Sequence, residues 1–289
     1  MASKSNTNER RPYGAVYLTA CVFLLNLGLS YLLPLGGSIY SYGLIMQFAA
    51  LLIPASLYMS LKGERLPQKM RINAFSPTKT IFLLLFVLAI FCGSVLYSLF
   101  FGGSASEGVI VSNEPAALAI LCIAILPAFA EELIFRGILM TELEGHGPFT
   151  AVLLSSLLFA MLHFDLKMLP MYLFSGLMLA LCAYVTRSLL ASCAVHLAYN
   201  LLVFLGKEKL TAFFAITDDT ALIGLILTVA LLVSLILIFG ECQRTYAVYS
   251  EQNAISSHAA GGGVGSFFIA LLSPASIICI IIFIAAIII

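Results

Sequence analysis

The sequence predicts an all-α fold: a polytopic transmembrane helix bundle with eight core spans and a ninth, C-terminal span. Composition gives the first reason. Of 289 residues, 62% are hydrophobic and 10% charged, whereas a soluble domain carries about 25% charged residues. Spacing gives the second, because the chain offers nine apolar runs of roughly the 20 residues that a bilayer core requires, separated by short polar breaks. Pattern gives the third. The runs lack the alternation of barrel strands, and backbone amides in lipid must be satisfied within their own segment, so helices are the assignment.

The expected spans are 13–35, 42–61, 80–101, 116–140, 149–163, 169–186, 189–205, 221–239 and 267–289. Pro54, Pro127 and Pro274 fall inside runs and should kink them, while Pro34, Pro115, Pro148 and Pro170 stand at run ends. Leu18 to Cys21 has the look of a lipoprotein cleavage box, but the apolar run continues to Leu35 and reads as a first span. Seven scattered cysteines, mostly inside apolar runs, do not make a disulfide framework or a zinc knuckle. The domain plan is a tail at 1–12, a transmembrane core at 13–240, a flexible linker at 241–266 and an accessory helix at 267–289. The linker reading rests on Gly261, Gly262 and Gly263.

Charge sets orientation and excludes one class of partner. Lys plus Arg equals Asp plus Glu at 14 each, so no net field favours nucleic acid. Basic residues stay on the cytoplasmic side of short loops. With the amino terminus inside, eleven fall on or near the inner side, Lys62, Arg71, Arg136, Arg187 and Arg244 among them, and three outside: Lys167, Lys207 and Lys209. Short connections and the lack of a visible retention signal point to a prokaryotic cell membrane, with the chain multi-pass and its amino terminus cytoplasmic.

Ionisable groups are costly in a bilayer, so those that survive there are functional candidates. Four spans are largely silent by this test. The fourth carries Glu131, Glu132 and Arg136, the fifth ends at His163, and the seventh holds His196 and Asn200. Glu132 and Arg136 are i and i+4 and can pair on one helix face. Glu131 is rotated by roughly 100° and faces elsewhere, free to accept a proton from water. The bland alternative is a charge cluster that ends a span. Phe159 and His163, again four apart, put an aromatic wall beside an imidazole, or merely an interfacial histidine. His196 and Asn200 stack two hydrogen-bonding groups one turn apart, suited to one oxygen atom or to a polar helix contact. Path lengths along the helices let Glu131, His163, His196 and Asn200 meet in one cytoplasm-facing cavity. Such a set suits hydrolysis by activated water, with or without a metal.

The order Glu131-Glu132-x-x-x-Arg136, Phe159-x-x-x-His163, His196-x-x-x-Asn200 resembles the CAAX prenyl endopeptidase and bacteriocin-processing family of intramembrane proteases, also called CPBP or Abi. The resemblance covers the helices from Ala116 to Leu205. It implies an intramembrane peptide hydrolase whose cavity opens to the cytoplasm, acting in self-immunity, peptide maturation or CAAX-like processing. Glu131 and His163 would then activate water, and His196 with Asn200 would hold the oxyanion. Glu132, Arg136 and Phe159 would support them. Members are commonly labelled metalloproteases, so Zn2+ held by Glu131, His163 and His196 stands beside a metal-free mechanism, and spacing does not choose. The implied partners are the lipid membrane and a peptide or small protein arriving from cytoplasm or bilayer. A proton-coupled small transporter and a non-catalytic immunity or scaffold protein are the rival classes.

Overall fold

In a computed structural model, the described residues are 13–33, 39–63, 69–75, 79–102, 115–216, 219–251 and 263–289. All regular structure among them is helical. We number the helices α1 (Gly14–Leu32), α2 (Tyr40–Lys62), α3 (Thr80–Phe101), α4 (Ala116–His146), α5 (Pro148–Met161), α6 (Leu169–Thr186), α7 (Leu189–Ile216), α8 (Thr220–Glu251), α9 (Val264–Leu271) and α10 (Pro274–Ile288). Among the described residues seven helices are long and apolar enough to cross a membrane, and α9 with α10 would make an eighth. This is the helix bundle of a multi-pass membrane protein.

Several expectations shift in detail. The fifth run yields a helix of only 14 residues, which ends at Met161. At 1.5 Å per residue that is about 21 Å, short of an ~30 Å hydrocarbon core. His163 therefore sits on the turn after α5, where Phe164 takes a φ of 50°. The expected linker over 241–266 is shorter, because α8 continues through Glu251 and α9 begins at Val264. Residues 252–262 and the tail at 1–12 lie outside the described residues. The last helix is neither straight nor detached: α9 packs on α5 and α10 on α1, with a 64° bend between them. Ala270, Ala275, Ser276 and Cys279 are fully buried there. Ser273 caps α10 by accepting from the Ser276 amide at 3.3 Å, and the Ser276 hydroxyl donates to the Ala270 carbonyl at 2.8 Å, which holds the bend at Pro274.

Two of the interior prolines are accommodated by a specific device, and a bend is seen at the third, Pro274. Proline has no N–H and its ring crowds the carbonyl four residues back. Pro54 and Pro127 each follow a widened π turn, Gln47–Leu52 and Leu121–Ile125, in which Ile53 and Leu126 donate to carbonyls five residues back. The wider turn makes room for the ring. A third π turn, Leu133–Leu139, contains no proline and carries Arg136. π turns recur at functional positions.

Helix α4 lies at the centre, and every residue from Ile134 to Leu139 is buried. Lipid tails are as apolar as leucine, so helices associate by close van der Waals packing over small residues. Ala124, Ala128, Ala130, Ala151, Ala160, Ala180 and Ala191 are all fully buried. Gly176 is a close approach near the polar residues: a Cβ there would meet Phe159 Cδ1 at 3.0 Å and the Ser156 carbonyl oxygen at 3.1 Å. Without a side chain at Gly176, α6 lies close against α5.

Candidate active site

Helices α4 and α7 and the turn after α5 carry the polar residues of the three motifs. Glu132 is wholly buried, and its carboxylate is saturated. Arg136 Nη1 donates to Glu132 Oε1 at 2.9 Å, the i to i+4 pairing that the sequence predicts. His196 Nδ1 reaches the same oxygen at 3.0 Å, and the Ser192 hydroxyl donates to Oε2. Arg136 spends its second terminal nitrogen on the Gly176 carbonyl, 2.9 Å away. Its guanidinium carbon lies 4.4 Å from the Phe159 ring centre, a cation–π contact. Arg136 is thus an internal strut, 2% exposed, and not one of the basic residues at the membrane edge. Of the eleven counted on the inner side, it drops out.

Glu131 behaves differently from its neighbour. Among the described residues its carboxylate makes no hydrogen bond, and Oε2 lies 4.0 Å from His196 Nε2. The two carboxylates address opposite nitrogens of one imidazole, because the His196 ring lies against both and presents a nitrogen to each. Since a carboxylate only accepts, Nδ1 of His196 carries the proton, and Nε2 is left to face Glu131. A gap of 4.0 Å is too long for a hydrogen bond but right for a water that bonds to both atoms.

His163 is held from three sides. Its Nδ1 bonds the Phe159 carbonyl oxygen at 3.1 Å, so in the neutral ring Nδ1 carries the proton and Nε2 keeps a free lone pair. The Phe159 ring meets it edge-on at 5.1 Å, and the Tyr172 ring stacks on it at 3.8 Å with 19° between planes. Phe159 also meets His196 at 5.9 Å and Phe135 at 5.5 Å, so one aromatic ring links the two histidines. Asn200 lies one turn beyond His196 on α7, half-buried, with no side-chain hydrogen bond among the described residues. It is the least engaged of the predicted site residues.

Three contributors escaped the sequence reading. Ser192 stands four residues before His196, so the i to i+4 rule that paired His196 with Asn200 would have found it in the other direction. Gly176 and Tyr172 lie on α6, a helix without Asp, Glu, His, Lys or Arg, and no local signal marks them. The arrangement is otherwise weak for a metal. Among the described residues no three His, Cys, Asp or Glu side chains come close enough to hold an ion.

Comparison with known proteins falls on the same helices. Residues 113–202 match the family model described as Rce1-like, type II CAAX prenyl endopeptidase Rce1-like. The match contains all three motifs and bears out the resemblance that they carry. No curated protein and no solved structure matches the chain.

Proposed function

We propose that this chain, which carries an Rce1-like type II CAAX prenyl endopeptidase segment at 113–202, is an intramembrane endopeptidase that cleaves a peptide bond with water activated by Glu131 and His163. The observation that supports this reading most is the division of labour between adjacent carboxylates. Glu132 is spent on Arg136, His196 and Ser192. Glu131 is spent on none of them.

Glu131 takes a proton from the bound water, and the His163 Nε2 lone pair orients that water. The water oxygen attacks the carbonyl carbon, and the negative charge moves to the carbonyl oxygen. His196 Nε2–H, in the imidazolium form, and the Asn200 carboxamide donate to that oxygen. Glu132 on Nδ1 fixes the orientation of the ring, as the buried carboxylate does in hydrolase triads. When the intermediate collapses, the C–N bond breaks and the proton held by Glu131 passes to the leaving nitrogen. Each group in this scheme belongs to the chain itself.

Purified protein in detergent should hydrolyse a reporter peptide, and the Glu131→Gln variant should not. Uptake of a solute into proteoliposomes without hydrolysis would favour the transporter, and neither activity would favour the scaffold.

A further inference from the structure

Gln47 is a polar residue inside the second expected span, 42–61, and belongs to none of the three motifs. Its helix, α2, runs beside α4 in the same direction and is fastened to it at two heights. The Cys122 thiol donates to the Tyr40 carbonyl at 3.5 Å, and the Tyr58 hydroxyl donates to Glu142 at 2.8 Å. Tyr40, Leu44, Gln47, Leu51 and Tyr58 recur at steps of four, three, four and seven residues, which sets all five on one helix face. That face meets α4: Tyr40 and Leu44 pack with Ala119 and Cys122, Tyr58 reaches Glu142, and the turn Gln47–Leu52 packs on Leu126–Glu132. Gln47 therefore interrupts an interhelical seam with a carboxamide.

Its height matches the site. Gln47 precedes Tyr58 by eleven residues, Glu131 precedes Glu142 by the same number, and each interval contains one π turn. Counted from Tyr40 and Cys122 instead, Gln47 falls beside Phe129, so its level is fixed to within two residues, about 3 Å. The carboxamide is also unspent. Its Oε1 is buried without a hydrogen-bond partner among the described residues. Polar side chains in membrane spans ordinarily hydrogen-bond across helices, and a buried acceptor left without a donor is costly. Leu44 and Leu51 beside it offer no donor, and the Glu131 carboxylate only accepts.

We infer that Gln47 is a substrate-binding residue, whose carboxamide oxygen accepts a backbone N–H of the peptide that Glu131 addresses. The inference rests on the endopeptidase reading. Lipid tails carry no donor, whereas a peptide presents an N–H at every residue except proline. A carboxamide has the same acceptor and donor pair as a peptide unit, so it recognises backbone and not side chain. Recognition of this kind holds a peptide in register beside Glu131 without selecting its sequence.

The test reads binding, with turnover removed by Glu131→Gln. A fluorescent peptide, selected from a degenerate library by its retention on that protein in detergent, is titrated against Glu131→Gln and against Glu131→Gln combined with Gln47→Met. Methionine keeps the length of the side chain and has only a weak acceptor. Kd should rise by about 2- to 10-fold, the range of one net hydrogen bond. Analogues in which one backbone amide at a time is replaced by an ester then locate the contact. One position should weaken binding to the protein with Gln47 and lose that effect in the methionine variant. Thermal stability of Gln47→Met should equal or exceed that of wild type, because no partner within the fold is lost. An unchanged Kd, ester effects of the same size in both proteins at every position, or a destabilised methionine variant overturns the inference, as does a protein that retains no library peptide. If peptides bind and Gln47 senses their backbone while the purified wild type hydrolyses none, the endopeptidase reading fails and the binding role stands.

Discussion

Glu132 holds the Nδ1 edge of His196 at 3.0 Å, and the opposite edge of the ring faces Glu131 across 4.0 Å. One imidazole therefore separates a carboxylate with three hydrogen-bonding partners from one that makes no hydrogen bond among the described residues. The two adjacent glutamates should respond to the same substitution in different ways.

Glu131→Gln keeps the size of the side chain and removes its ability to take a proton, so peptidase activity should fall by at least 100-fold, the lower end of what a positioned general base contributes. Thermal stability in detergent should stay close to wild type, because no hydrogen bond to Glu131 is lost among the described residues. Glu132→Gln should do the reverse in order of severity. It leaves Arg136 as a buried charge without its counter-ion, a change that costs about 3 to 5 kcal/mol. A Glu132→Gln protein as stable as wild type would show that Arg136 is neutralised elsewhere.

For the metal, the expected outcome is that chelators leave peptide hydrolysis unchanged and that active protein carries no stoichiometric zinc. The ground is geometric: His196 commits Nδ1 to Glu132, and no three ligands converge among the described residues. Elemental analysis of active wild type beside His196→Ala decides it. Stoichiometric zinc that disappears in the variant would make His196 a ligand.

Asn200 lies one turn beyond His196 on the same helix. If it holds the oxyanion, Asn200→Ala should lower kcat by about 100- to 1,000-fold with little change in KM. A change confined to KM would instead make Asn200 a contact to substrate in its ground state.

The fold class and the central ion pair were legible because both follow from local spacing. A run of 20 apolar residues is a length, and Glu132 with Arg136 is a four-residue separation, so neither depends on what the rest of the chain does. The parts that the sequence hid depend on it. The 14-residue α5 looks like a span because its apolar run extends past Met161, where Phe164 at φ 50° turns the chain. Arg136 looks interfacial until Gly176 and Glu132 are seen to take its terminal donors. Helix rotation alone turns Glu131 away from Glu132, yet a ring with two nitrogens lets neighbours on different faces meet one partner. Met70, 2% exposed against Gly137, comes from a loop, and loops have no period to read.

Tyr172 has no polar neighbour in sequence, yet its ring lies 3.8 Å from that of His163 and nearly parallel to it. The stack fixes the imidazole plane, while the bond from Nδ1 to the Phe159 carbonyl fixes only its tautomer and one edge. Aromatic pairs of this kind contribute about 0.5 to 1.5 kcal/mol beyond their burial. Tyr172→Ala should therefore lower kcat by roughly 2- to 10-fold if that energy is expressed in the transition state. Tyr172→Phe keeps the ring and should restore nearly all of the rate. A readout free of turnover separates positioning from general loosening. Carbethoxylation of His163, followed by mass spectrometry, should be faster in Tyr172→Ala than in wild type and unchanged in Tyr172→Phe. If the Phe variant is as slow in catalysis as the Ala variant while His163 remains protected, the phenol hydroxyl is what matters, and Tyr172 contacts substrate directly instead of bracing the histidine.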